Sequence, residues 1–438
     1  MAIALSLPRV LSAQTSSFLQ VDPPPPATTD FAAVRGQFAA AVASRSVDDA
    51  TRAARDLVRL GSVEAVDVLI ELGLLSGLPG IELVVREELG RTKPGPGFDR
   101  LCEQCNKHAL SAVRDQLCAA LAMSKVPAAY RAVLQNLYDK EHGVVLAAID
   151  ALKARNETSS VSYLIDALEF QEESNRASGV VAHRLRDLLT KLAGLNFYTA
   201  REWKRFWAEH GQGFKKPTKA EREQLEAEER AKRGGTEVVR PNPPKFFGIE
   251  VLSQRVVFLL DVSMSMAEKD AVPAGESDGK NGGKPGELPE SRTRLKRLQQ
   301  ELDRMIASLP SDTQFTVISF SSGVTRWNGS LQPATDANKA SARTFIGRFK
   351  AEGETWTDDA LKAAFAVRDA HTIFLLSDGA PVRNEVVMDV PAVLDWLRDE
   401  NRFRRLQINT IGFAGTQKSI GDFLREIARN HRGIYQEL

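Results

Sequence analysis

The stretch Arg255-Val-Val-Phe-Leu-Leu-Asp261-Val-Ser263-Met-Ser265-Met runs from an apolar segment into an aspartate and two hydroxyls at alternate positions. Hard oxygens without a nearby histidine or cysteine suit Mg²⁺, or Mn²⁺ or Ca²⁺, better than a softer ion. Two further segments end on the same kind of group. Thr355 lies in Gly353-Glu-Thr355-Trp-Thr357-Asp-Asp-Ala-Leu361, on a loop just ahead of a helical pattern. Asp378 closes His371-Thr-Ile-Phe-Leu-Leu-Ser-Asp378, with Gly379 and Pro381 as a turn signal behind it. Thr357 has the character of an N-cap, and Asp358 and Asp359 suit the positive end of a helix dipole, so these three read as helix-start residues.

Oxygens from three distant segments converge only if the fold brings them together. The apolar runs ending at Asp261 and Asp378 have the length and composition of strands buried on both faces. In an open parallel sheet, ligands bind at the carboxyl ends of the strands, where the strand order reverses. From residue 250 onward helical and strand patterns alternate, which predicts an α/β unit with a doubly wound sheet and helices on both faces. Residues 268–289 have the Gly- and Pro-rich composition of a loop. Leu295, Leu298, Leu302, Met305, Ile306 and Leu309 fall on one helical face. Strands are expected at 315–320, more weakly at 325–331, and at 408–413, with an edge strand at 434–436. Helices are expected at 336–349, 391–401 and 420–430.

Asp261-x-Ser263-x-Ser265, Thr355 in a Gly-x-Thr-x-Thr loop and Asp378 in Leu-Ser-Asp-Gly together resemble the metal-ion-dependent adhesion site of von Willebrand factor type A domains, over residues 250–438. The resemblance implies a Rossmann-like sheet. It implies direct coordination by Ser263, Ser265 and Thr355, with Asp261 and Asp378 acting through water or from behind the ligands. Neutral hydroxyls leave a bound Mg²⁺ electrophilic, so an open vertex is expected to take an Asp or Glu side chain from a protein partner. Two positions depart from the family pattern. Met264 stands where glycine is usual, and either crowds the metal loop or offers an apolar contact. Glu354 also stands where glycine is frequent, and is expected to add negative charge beside the site.

The first half reads differently. Residues 31–195 carry short amphipathic helices in couplets, among them 111–122 with 126–137 and 144–152 with 161–168. Their recurrence at about 30 to 35 residues predicts a helical solenoid similar to degenerate HEAT-type repeats. Thr199 and Glu202 have capping-box spacing, and Trp203, Phe206 and Trp207 share the face of the helix they start, as an aromatic plug on the array. Cys102, Cys105 and Cys118 with His108 have a zinc-like spacing, but Cys118 sits among Val113, Leu117 and Leu121, which favours plain core thiols. Residues 218–233 alternate Glu with Lys and Arg as a solvated helix, and Gly234-Gly235 and Pro241-Asn-Pro243-Pro244 mark a linker. The expected organisation is a tail at 1–30, a helical unit at 31–212, a charged helix and linker at 213–249, and the α/β unit at 250–438.

At 438 residues the chain is too long for one ordinary core. Its 58 Lys and Arg nearly cancel its 57 Asp and Glu, which gives no basic field for nucleic acid. No apolar run reaches the roughly 20 residues of a bilayer span. Residues 1–14 half meet the pattern of a secretory signal; a periplasmic or secreted location follows if they are its remnant, and a cytoplasmic one otherwise. The leading functional expectation is a non-enzymatic, metal-dependent binding or assembly protein. The alternatives are a metal-dependent hydrolase or phosphotransferase on the same aspartates, and a solenoid scaffold whose ion is only structural. The hydrolase reading lacks a second carboxylate beside Asp261, a nucleophile elbow and a phosphate-cradling loop.

Overall fold

A computed structural model of the protein describes residues 30–174, 176–177, 179–232, 243–269, 292–378, 381–414 and 418–438. The expected signal segment, the centre of the linker, most of the Gly- and Pro-rich loop and the turn at Gly379 lie outside these residues.

The first half is all helix among the described residues, from Phe31–Ala43 to Lys219–Lys232. Apolar positions recur at helical spacing and meet in one core that includes Leu57, Leu117, Leu152 and Leu189. The helices Ser111–Ala122 and Pro127–Gln135 pack together as expected, but His142–Arg155 and Val161–Glu173 do not form a simple couplet. The former packs chiefly on Ser111–Ala122, and the latter on Val180–Ala193 and Ala200–His210. The Thr199–Glu202 capping box is present, and it starts the helix that buries Trp203 and Phe206 completely. The charged helix Lys219–Lys232 is less solvated than its composition suggests: Leu225 packs on the helical core, and Arg205 grips the buried Glu229 carboxylate at 2.6 Å.

The second half has eleven strands among the described residues. They are β1 (Lys245–Phe246), β2 (Ile249–Glu250), β3 (Arg255–Asp261), β4 (Gln314–Phe320), β5 (Val324–Arg326), β6 (Gln332–Pro333), β7 (Thr372–Leu376), β8 (Val382–Arg383), β9 (Val386–Val387), β10 (Gln407–Gly412) and β11 (Tyr435–Glu437). The main sheet runs β11-β10-β7-β3-β4-β5, with β6 also on β4. It is mixed rather than wholly parallel, because β5 and β6 run antiparallel to β4. Of the weak strand expected at 325–331 only 325–326 are strand, in β5, which ends where Trp327 stacks on Phe315; β6 begins just after that range. Along β3 the side chains alternate faces. Val256, Phe258 and Leu260 join a core with the helix Arg294–Ser308, while Val257 and Leu259 join another with the helices Thr357–Phe365, Val390–Glu400 and Lys418–Asn430.

The two halves meet at the amino-terminal edge of the sheet. There His142 stacks on His371, ring centroids 3.8 Å apart, just ahead of β7. Arg405 grips Asp115 through both nitrogens of its fork and reaches Asp150 at 2.7 Å. Arg402 pairs with the buried Glu82, and Arg432 reaches Asp150 at 3.3 Å. The backbone carbonyl of Phe403 occupies the space a side chain at Gly143 would fill. All these contacts use residues that precede β7, β10 or β11. Asp261 ends β3 and Asp378 lies just past β7, at the opposite edge, about 20 Å away along a seven-residue strand. The helical half therefore leaves the carboxyl-terminal edge of the sheet uncovered.

Candidate metal centre

The chain leaves β3 in one direction across the sheet, through β4 and β5, and returns to its other side at β7, β10 and β11. The carboxyl ends of β3 and β7 therefore flank the point where the order reverses, and they carry Asp261 and Asp378. Register does the fine positioning. Leu260 pairs with Leu376, so the next residues, Asp261 and Ser377, face each other, and Ser377 donates to Asp261 Oδ2 at 2.6 Å. The other oxygen, Oδ1, accepts the Ser263 backbone N–H at 2.8 Å, which folds the chain back over the strand end.

From there a row of polar contacts crosses the site. Ser263 Oγ lies 3.1 Å from Ser265 Oγ, and Ser265 donates to Asp378 Oδ1 at 2.7 Å. Asp378 Oδ2 accepts from Arg294 at 2.7 Å. Four of the five expected residues are thus joined directly. Thr355 is not part of that row but lies on the loop docked against it. Glu352 N–H donates to Val262 O and Met264 N–H to Gly353 O, both at 3.0 Å. Gly353 has φ +79°, and a Cβ there would press on Ser322. Thr355 is buried, as are Asp261, Ser263 and Asp378.

The electrostatics favour a cation. Burial, and next the charge of Asp378, push the Asp261 carboxyl up to about 7, against the hydrogen bonds from Ser263 and Ser377. Burial also raises Asp378, opposed by Ser265 and Arg294. Two buried carboxyls whose charged forms resist each other, faced by hydroxyls that can offer lone pairs, fit a hard divalent ion. Ser263, Ser265 and Thr355 could hold such an ion directly, with the carboxylates behind them.

One expectation, the N-cap at Thr357, is corrected. Glu354 keeps its negative charge beside the site, and neutral donors hold it in place. Its carboxylate accepts from Trp356 Nε1, Asn384 N–H and Glu385 N–H, each at 2.8 Å, and these donors hold its pKa below the usual range. Thr357 is the first helical residue rather than the N-cap; Trp356 takes that place, because its N–H is bound to Ser321 O. Met264 does not crowd the loop, since its side chain is 66% exposed. Asp358 and Asp359 do lie in the first helical turn, but both also hold Arg383.

The sequence reading missed Ser377, Arg294 and Glu268, which pairs with Arg294 at 2.8 Å. Arg294 had a readable signal. It opens a helix capped by Thr293, where a cation opposes the helix dipole, so an acidic partner had to be close. The cysteines behave as core residues. Cys105 and Cys118 are buried 3.9 Å apart, and Asn136 donates to both sulfurs. Among the described residues no group of three His, Cys, Asp or Glu side chains is placed to hold a metal, and no helix is long and apolar enough to cross a membrane.

Comparison with known proteins gives the fold its name. Residues 256–380 match the family described as von Willebrand factor type A domain. The chain is 25% identical over 177 residues to the inter-alpha-trypsin inhibitor heavy chain H1 of Bos taurus, covering 38% of this chain and 17% of that protein. It is 30% identical over 118 residues to von Willebrand factor A domain-containing protein 3B of Homo sapiens, covering 26% of this chain and 8% of that protein. The chain thus spans less than a fifth of the length of these relatives. A solved structure of a von Willebrand factor type A protein from Catenulispora acidiphila is similar over 42% of this chain and 38% of its own, at 19% identity and a TM-score of 0.33. The second half of this chain carries a von Willebrand factor type A domain, a Rossmann-like mixed sheet set behind a helical first half.

Proposed function

We propose that this protein binds a partner protein through a divalent cation, most naturally Mg²⁺, seated by Ser263, Ser265 and Thr355 over Asp261 and Asp378. One observation carries the reading: the row Asp261, Ser263, Ser265, Asp378 is joined across the switch point of the sheet, with Thr355 buried on the loop that docks against it. When bound, the ion would supply a Lewis-acidic vertex for an Asp or Glu side chain of the partner. The protein's own residues hold the hydroxyls in place, and the buried carboxyls supply compensating charge. The carboxylate that accepts from Ser265, Asp378, is also held by Arg294 at 2.7 Å, which makes it a poor general base, so the reading is of binding without turnover.

The helical half, in this proposal a HEAT-like array, supplies a second surface at the far end of the sheet. Retention of partner protein on the immobilised chain should require Mg²⁺ and be lost with a chelator and in Asp261→Ala. Retention that survives both would replace this reading with that of a scaffold. Phosphoester or ester turnover that is lost in Asp261→Ala would replace it with that of a hydrolase.

A further inference from the structure

We propose that the cavity between the two halves is a binding site for a small phosphate monoester with an apolar body, held by arginines from both sides. It lies at the amino-terminal edge of the sheet, at the far end from Asp261 and Asp378, and does not depend on the function proposed above.

The cavity holds about 540 Å³, within the range of small-molecule sites. Residues of the helical half and of the sheet half both line it, and its charges are unbalanced. Arg176 lies over the Phe170 ring at 5.2 Å, and neither it nor Lys140 nor Arg368 has an acidic partner among the described residues. Arg255 reaches Asp369 only at 3.7 Å, and that carboxylate is 78% exposed. Arg404 gives its guanidinium to the carbonyls of Phe365, Val367 and Arg368, which carry no charge to cancel its own. Of the carboxylates on the lining, Asp139 is already neutralised by Arg114 behind it, at 2.7 and 2.9 Å. That leaves three, Glu141, Asp312 and Asp369, against these five cations, a surplus of two positive charges. The stacked histidines register it. Burial, then the charges of His142, Arg255, Arg176 and Arg404, hold the His371 pKa down to about 2.

Uncharged groups point the same way. The helices His142–Arg155 and Val180–Ala193 both begin on the cavity wall, and neither has a side-chain cap among the described residues. The positive ends of two helix dipoles thus meet there. The buried Nε2 of His142 also has no hydrogen-bond partner among the described residues. A phosphate monoester carries close to two negative charges at pH 7, which matches the surplus, and arginine forks bind its oxygens in pairs. The phosphate group alone is far smaller than the cavity. Leu137, Val144, Val180 and the partly exposed Phe170 line the remainder, which calls for an apolar body on the ester. Because Arg176 belongs to one half and Arg255 to the other, the ligand binds the docked form best and stabilises it by mass action.

The test titrates phenyl phosphate, inorganic phosphate and phenol separately into the chelator-stripped full chain at pH 7, by calorimetry. One phenyl phosphate per chain should bind, about tenfold or more tighter than either of the other two, and it should raise the melting temperature. Arg176→Gln and Arg255→Gln should each weaken it about tenfold, and Arg176→Lys should recover part of the loss. Both arginine side chains are partly exposed, so the variants should keep the circular dichroism of the wild type. No saturable binding, or binding that both glutamine variants leave unchanged, overturns the inference. Phenol binding as tightly as phenyl phosphate overturns the anionic class, and inorganic phosphate doing so overturns the apolar body. A loss in only one of the two glutamine variants would confine the ligand to one half and overturn the shared site.

Discussion

Replacing Arg405 with alanine removes one of the three guanidinium groups that join the two halves, the one paired with both Asp115 and Asp150. Its side chain is 11% exposed and that of Asp115 is 7% exposed, so the change strands a carboxylate inside the interface. Burial already raises the Asp115 pKa, opposed first by the hydrogen bond from Arg405. A stranded carboxyl can always escape by taking a proton. The ceiling on its penalty is then the distance from the working pH to its ordinary value of 3.8. At about 1.4 kcal/mol per unit, that is about 4 kcal/mol at pH 7 and about 1.6 kcal/mol at pH 5. The upper figure agrees with the roughly 3–5 kcal/mol seen when one partner of a buried pair is deleted. Urea unfolding of the full chain, followed by tryptophan fluorescence and by small-angle scattering, should show Arg405→Ala losing docking at pH 7 and losing much less at pH 5. Adding Asp115→Asn should recover more than half of the pH 7 loss. A loss equal at the two pH values, or one that Asp115→Asn leaves untouched, would refute the assignment of the cost to a stranded charge.

Other outcomes follow from the same contacts. Gly143→Ala should open the interface, seen as a larger radius of gyration, because the Phe403 carbonyl fills the space of the new methyl. The stacked pair should make docking acid-sensitive. Burial, and next the charge of Arg255, lower His142 to about 4; burial, then His142 and Arg255, lower His371 to about 2. Because the folded values lie below the unfolded value near 6.5, the unfolded chain binds more protons in between. Stability therefore falls as pH drops from about 6.5 toward 4, at up to about 1.4 kcal/mol per unit for each ring, and His371→Phe should flatten that slope in urea melts. Arg294→Ala leaves buried Asp378 without its cation, so the metal-free protein should melt earlier and gain more from added Mg²⁺ than the wild type does. An equal gain in both would show that Arg294 and the ion do not share Asp378.

The parts of the site that sequence made legible are those set by local pattern. An apolar run ending on Asp261 specifies a buried strand and its last side chain. Hydroxyls at alternate positions specify a loop turning back over it. The same holds for Asp378, and for Thr355 just ahead of its helix. What stayed hidden depends on pairing between distant segments. Ser377 acquires its role only because Leu260 and Leu376 are in register. Glu354 reads only as a charge beside the ion, and its hold on the hairpin at 382–387 depends on pairing between distant segments. The docking of the halves rests on Arg402 and Arg405 in a loop, which by composition resemble any solvated pair. Boundaries moved by a residue or two where a backbone bond outside the helix decided them, as with Trp356 in place of Thr357.

The most direct measurement is calorimetric titration of the chelator-stripped full chain with Mg²⁺. One ion per chain should bind in the wild type. Binding should vanish in the combined Ser263→Ala and Ser265→Ala variant, while circular dichroism and the melting curve of its metal-free form stay close to those of the wild type. Unchanged binding in that variant would contradict the seating of the ion on these hydroxyls, and no binding in the wild type would contradict the metal centre itself.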